Sequence, residues 1–290
     1  MNRRDVLKAT ALTAMGAAAA LTNGSVLAQS VSEKDHNRVF KNIVMSREKG
    51  ILILRINKLP RNEVSQITLH ELNMGLDMAA EDKSVGAIVI TGSESVFSAG
   101  AGADVFQEQT QGMPTHASLA HQVFSRIEGF PKPVIAAING YSGGGGNELA
   151  FACDIRIATK SATFRQPELQ VGLIPGFGGM QRLQRHIGLG RAMEMMISGR
   201  LMDANEALSF GLVTTVVADN EVLTAAISMA EKLIKDVNGP AFAAFKERMG
   251  ASYSEPFGAA LKNDQLAFDR LVVTEEAHSA LQRFIAKQKG

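Results

Sequence analysis

The sequence predicts an α/β fold, and two observations carry that prediction. Short apolar runs closed by glycine, proline or asparagine alternate with segments whose apolar residues recur at helical spacing. Hydrophobic residues make up 46% of the 290 and charged residues 20%, enough to build a core and too little charge for a disordered chain. The net charge of +1 gives no global pull toward nucleic acid or an anionic membrane. The single cysteine, Cys153, excludes an internal disulfide and a cysteine-based zinc cluster within one chain.

The elements follow in order. Ile51–Ile56 is an apolar run closed by Asn57 and Pro60, a strand. From Ser65 to Ala80, Ile67, Leu69, Leu72, Leu76 and Ala80 lie at helical spacing, with Ser65 placed as N-cap. Val85–Ile90 is a second strand, ended by Thr91-Gly92, and residues 116–129 form a helix. Pro133–Ile138 is a third strand, and a glycine run leads from it into a helix at Asn147–Ala150. Asp154–Ala158 is a fourth. Beyond residue 179 helices dominate except at Val213–Val217, and 221–290 has helical periodicity throughout.

The first thirty residues form an address. Arg3 and Arg4 precede an uncharged, alanine-rich stretch, and Val26-Leu27-Ala28 fits a small-residue cleavage site. Thr10, Thr13, Gly16, Thr22, Asn23 and Gly24 dilute the stretch too far for a membrane span. Residues 1–28 therefore read as a signal peptide, and Asn2–Lys8 resembles the twin-arginine signal for exporting folded proteins. The expected destination is the periplasm, with the cytoplasm as the alternative. Cleavage after Ala28 leaves the mature chain near electroneutrality.

The centre of the chain is Asn139-Gly140-Tyr141-Ser142-Gly143-Gly144-Gly145-Gly146-Asn147-Glu148. Four consecutive glycines between a strand and a helix are entropically costly. They allow backbone N–H groups, aided by the helix dipole, to approach an oxygen that gains negative charge. No Lys-Ser/Thr pair follows, so this is not a phosphate loop, and the G-x-G-x-x-G register fails at Glu148 and Leu149. Gly140–Gly144 also fits the G-x-S-x-G elbow of a serine hydrolase, with Ser142 as nucleophile and Asp203, Asp219 and His278 available as partners. On the residues alone, an anion cradle, a serine nucleophile and simple close packing all stay open.

Glu148 opens the helix after the glycines, and Glu168 follows Gln166-Pro167 ahead of a second glycine-rich turn, Val171–Gly179. Taken singly, each reads as a solvated first-turn glutamate favoured by the helix dipole. The six histidines, His36, His70, His116, His121, His186 and His278, show no metal-ligand spacing and read as surface or packing residues.

Lys132–Thr159, KPVIAAINGYSGGGGNELAFACDIRIAT, closely resembles the signature of the crotonase family, the enoyl-CoA hydratases and isomerases. So does Ala162–Arg200, while Ala87–Val105 is similar to the family's substrate loop. The resemblance runs from about Val39 to Lys289. It implies a spiral of ββα units over residues 36–220, with a helical oligomerisation region at 221–290 and assembly as a homotrimer or homohexamer. It further implies an acyl-CoA thioester substrate, with coenzyme A as part of that substrate and no separate cofactor, metal, nucleic acid or membrane partner. The thioester oxygen sits between two backbone N–H groups, one at Gly145 and one on the earlier loop. Glu148 and Glu168 correspond to the pair that activates water for addition across C2=C3, and retention of both favours hydration over isomerisation.

The family's loop form is F-x-A-G-x-D, whereas Phe97–Asp104 is two residues longer. Counting back from Asp104 puts the second N–H at Ala101, the preferred assignment; counting forward from Phe97 gives Ala99. Ala99, Gly100, Ala103, Asp104 and Gly144 are the expected substrate contacts, with Asp104 read as a helix N-cap. An export signal sits uneasily with coenzyme A thioesters, which are cytoplasmic in most bacteria. A hydrolase or lyase acting on a non-CoA substrate, and a non-catalytic binding role, are therefore the alternatives on the same scaffold.

Overall fold

The computed structural model describes residues 37–102 and 116–288. The expected signal peptide, Ala103 and Asp104 lie outside the described residues. In chain order the strands are β1 (Asn37–Val39), β2 (Ile43–Glu48), β3 (Ile51–Ile56), β4 (Ala87–Gly92), β5 (Val96–Ser98), β6 (Val134–Ile138), β7 (Tyr141–Gly143), β8 (Ile155–Thr159), β9 (Thr163–Arg165), β10 (Met202–Asp203) and β11 (Thr215–Val217). The helices are α1 (Gln66–Glu81), α2 (His116–Glu128), α3 (Gly145–Ala152), α4 (Gly179–Ile187), α5 (Leu189–Ser198), α6 (Ala204–Ser209), α7 (Val222–Asp236), α8 (Gly239–Ala251), α9 (Phe257–Val272) and α10 (Glu275–Gln288).

A large sheet runs β1-β2-β3-β4-β6-β8-β11, antiparallel through its first three strands and parallel beyond. A small sheet runs β10-β9-β7-β5, with β5, β7 and β9 mutually parallel. The chain climbs in repeated turns: β4 then β5 then α2, β6 then β7 then α3, β8 then β9. Each turn sets one long strand in the large sheet and one short strand in the small sheet. This is the ββα spiral.

Continuous apolar runs reflect burial on both faces of the large sheet. Leu52, Leu54, Ile88, Ile90, Val134 and Ala136 face a core that includes Leu69, Leu72 and Leu76 of α1 and Phe124 and Ile127 of α2. Their alternates Ile51, Ile53, Ala87, Val89, Ile135 and Ala137 pack under Val222, Ala226, Ile227 and Ala230 of α7. Ser65 caps α1 as expected, its side chain accepting from Thr68 N at 3.2 Å.

Four strand starts move inward from the sequence expectation, Pro133 and Asp154 each standing one residue ahead of β6 and β8. Val85 and Gly86 precede β4, and Val213 and Thr214 precede β11. The β1–β2 hairpin arm and the short strands β5, β7, β9 and β10 were not anticipated. Strands of two or three residues inside turn-rich sequence carry too little alternation to register.

Candidate active site

The three parallel short strands end side by side, and each hands its chain to one part of the site. After β5 come Ala99–Ala101, after β7 come Gly144 and Gly145, and after β9 comes Glu168. Gly144 has φ +48 and donates its N–H to Arg165 O at 2.9 Å, which ties the β7 exit to the β9 exit. Gly145 then opens α3, so its N–H is one of the amides that a helix start leaves without an intrahelical acceptor.

The β5 loop threads closely beside it. Gly100 has φ +86, and a Cβ there would lie 2.7 Å from Gly145 N and 2.8 Å from Gly143 O. Only glycine fits. The Ala99 N–H donates to Arg61 O at 2.9 Å, and the Gly100 N–H to Ser98 Oγ at 3.1 Å. The Ala101 N–H has no acceptor among the described residues, and its nitrogen lies 3.5 Å from where a Cβ on Gly145 would stand. Ala101 and Gly145 thus offer two neighbouring uncommitted amides, while the Ala99 amide is already engaged.

Glu148, on the first turn of α3, is 1% exposed. The solvated reading of this residue taken singly is overturned, because the Val171–Gly179 turn folds over it. Its Oε1 accepts from Phe177 N at 2.8 Å and Gly179 N at 2.7 Å, and its Oε2 has no hydrogen bond among the described residues. Burial pushes the carboxyl up to about 7; neighbouring Glu168 adds to the rise, while the two amides and the Arg182 cation oppose it. Glu168, at the head of the 3-10 turn Glu168–Val171, is also raised by burial. Its Oε2 is buried without a partner, and its Oε1 lies 3.1 Å from the position of a Cβ on Gly144. Two carboxyls therefore border the Gly144–Gly145 corner, Glu148 anchored by two amides from another turn and Glu168 with its Oε2 free of any partner among the described residues.

Phe177 closes this corner. A Cβ on Gly145 would meet its Cε2 at 2.6 Å, and the ring packs edge-on against His116 and Phe124 at 5.1 and 6.0 Å. A lone phenylalanine in a Gly/Pro loop carries no sequence signal, and its place in the site went unread. Ser142 is fully buried, and its Oγ has no hydrogen-bond partner among the described residues. Its supposed partners are occupied or remote in role. Asp203 caps α6 by accepting from Glu206 N, Asp219 accepts from Ser161 N, and His278 is exposed on α10. No serine–histidine–acid relay forms at Ser142 among the described residues, nor is any group of three or more His, Cys, Asp or Glu side chains placed to hold a metal there.

Residues 46–290 match the enoyl-CoA hydratase/isomerase family. The chain belongs to that family. It is 38% identical over 232 residues to a probable enoyl-CoA hydratase of Rhizobium meliloti, covering 79% of this chain and 88% of the relative. It is 36% identical over 253 residues to the short-chain-enoyl-CoA hydratase of Clostridium acetobutylicum, covering 86% and 96%. Among solved structures, an enoyl-CoA hydratase from Bacillus anthracis superposes with a TM-score of 0.79 at 33% identity, over 85% of this chain and 97% of that one. Pseudomonas aeruginosa DspI does so with a TM-score of 0.80 at 29% identity, over 86% and 96%. The ββα spiral is the fold it shares with these structures.

Proposed function

We propose that this chain is an enoyl-CoA hydratase, adding water across the C2=C3 bond of a trans-2-enoyl-CoA to give a 3-hydroxyacyl-CoA. The observation that carries this reading is the buried carboxyl of Glu148 and the half-buried Glu168, whose Oε2 is enclosed, beside the uncommitted amides of Ala101 and Gly145. In this reading the thioester oxygen accepts from both amides. Negative charge that develops on it as C2 becomes enolate-like meets donors that need no reorganisation. One carboxylate takes a proton from the water whose oxygen bonds to C3, and the other, protonated, delivers a proton to C2. The C2–C3 π bond and one water O–H bond are consumed; a C–O bond and a C–H bond form. A carboxyl raised to about 7 suits such exchange, because both of its protonation states are populated near neutrality. Gly144 and Gly100 shape the corner, and Ala99 supports it through Arg61. The test is loss of the enoyl-thioester absorbance when the purified protein meets crotonyl-CoA; no turnover across a panel of enoyl-CoA esters would overturn the reading.

Residues 1–28 are proposed as a twin-arginine export signal and the periplasm as the destination. Fractionating cells with and without a functional twin-arginine translocon tests this, the expected result being a periplasmic pool that disappears with the translocon. Helices α8–α10 are proposed to pack against other copies in a homotrimer or homohexamer. Support comes from the large apolar side chains they expose, among them Phe245, Phe257, Phe268 and Phe284. Light scattering of the eluted protein at three or six chain masses is the expected outcome.

A further inference from the structure

We infer that Arg182, held by Glu128, is a positioning residue for Glu148 and acts through the Phe177–Gly179 turn. The inference rests on the hydratase reading above. Nothing regular supports this turn: it lies between the 3-10 turn and α4, and Gly178 at φ +100 is its last residue before the helix. Yet it supplies both amides that fix Glu148 Oε1 and the ring that backs Gly145. Arg182 reaches back from the first turn of α4, its Nη1 donating to Phe177 O at 3.0 Å. Its own amide donates to Gly178 O at 3.1 Å. The guanidinium is nearly buried, with side-chain exposure of 7%, and its charge is met by Glu128 of α2 through Nε at 3.1 Å and Nη2 at 2.8 Å.

A buried cation held this way does more than fill space. It locks the Phe177 carbonyl between the two amides that converge on one carboxylate oxygen. It also places a positive charge near Glu148, opposite in effect to Glu168 across the corner. Among the described residues, the other charged or titratable groups on this side are Glu128 behind the guanidinium, His116 edge-on to Phe177 and exposed His121 beside Gly178. A misplacement of a catalytic group by about 1 Å costs on the order of a hundredfold in rate.

Arg182→Met, Arg182→Lys and Glu128→Gln are compared with wild type in kcat and KM for crotonyl-CoA across pH, with folding checked by circular dichroism. The methionine variant is expected to lose about a hundredfold in kcat, with KM changed far less. The apparent pKa of the glutamate pair should rise because the opposing cation is gone, and the lysine variant should bring it back toward wild type. Glu128→Gln removes a negative charge instead, so the same pKa should fall while kcat drops. A folded Arg182→Met with wild-type kcat and pH profile overturns the inference. Should that variant not fold, a folded Glu128→Gln with both quantities unmoved does the same. Wild type inert toward crotonyl-CoA would instead remove the hydratase reading beneath it.

Discussion

The Gly179 amide donates to Glu148 Oε1 at 2.7 Å, and a Cβ on residue 179 would stand 2.8 Å from that same oxygen and from Glu148 Cγ. Donor and acceptor approach so closely that no side chain fits between them. Alanine is the better helix former by about 1 kcal/mol, yet Gly179→Ala should push Glu148 out of place. The expected outcome is a fall in kcat of about a hundredfold with little change in melting temperature. Crotonyl-CoA kinetics and a thermal melt on one preparation check it.

Glu148→Gln and Glu168→Gln should each remove a proton-transfer group without disturbing the fold, since glutamine keeps the shape and, at 148, an acceptor oxygen for the two amides. Hydration should fall by roughly a hundred- to ten-thousandfold in each. Near-normal turnover in either would end the two-carboxylate mechanism.

Glu148 also makes stability depend on pH. Its folded pKa of about 7 lies above its ordinary 4.5, so the folded state holds the proton more tightly than the unfolded state. The contribution is fully present below about pH 4.5 and is lost as pH rises through about 7, a change of roughly 3 kcal/mol. Glu168 is shifted in the same direction and adds to the trend. Glu148→Gln should therefore be more stable than wild type at pH 8, with the advantage vanishing near pH 4.5. Denaturant titrations of both proteins at those two pH values, at one protein concentration, measure it.

Two glycines with positive φ separate strain from collision. Gly172, at φ +77, has nothing within 4 Å of an added Cβ, so Gly172→Ala should cost about 1 kcal/mol. Gly100, at φ +86, would drive its Cβ into the backbone of Gly145 and Gly143, and Gly100→Ala should cost about 3 kcal/mol and most of the activity. Equal melting temperatures for the two variants would contradict the threading of the β5 loop.

Long elements were legible because periodicity is a many-residue signal. β3, β6, α1 and α2 lie within a residue or two of where apolar spacing put them. Glu148 and Glu168 were legible as candidates through the family resemblance, but the burial of Glu148 was not, since it comes from a turn some thirty residues along the chain. Arg182 and Phe177 were invisible for opposite reasons. A charged residue on an amphipathic helix resembles a solvent-facing one, and one aromatic residue in a loop breaks no pattern. Which amide on the β5 loop is engaged depends on Arg61, a contact across the fold that no local count includes.

A carboxylate in water has two equivalent oxygens, but here that equivalence is broken. With Oε1 of Glu148 committed to Phe177 and Gly179, only Oε2 is left to direct a solvent molecule. In the hydratase reading proposed above, both carboxyls border one corner of the fold, so an alkene held there by its carbonyl would receive water on a single face, and one configuration at the new alcohol carbon is the expected product.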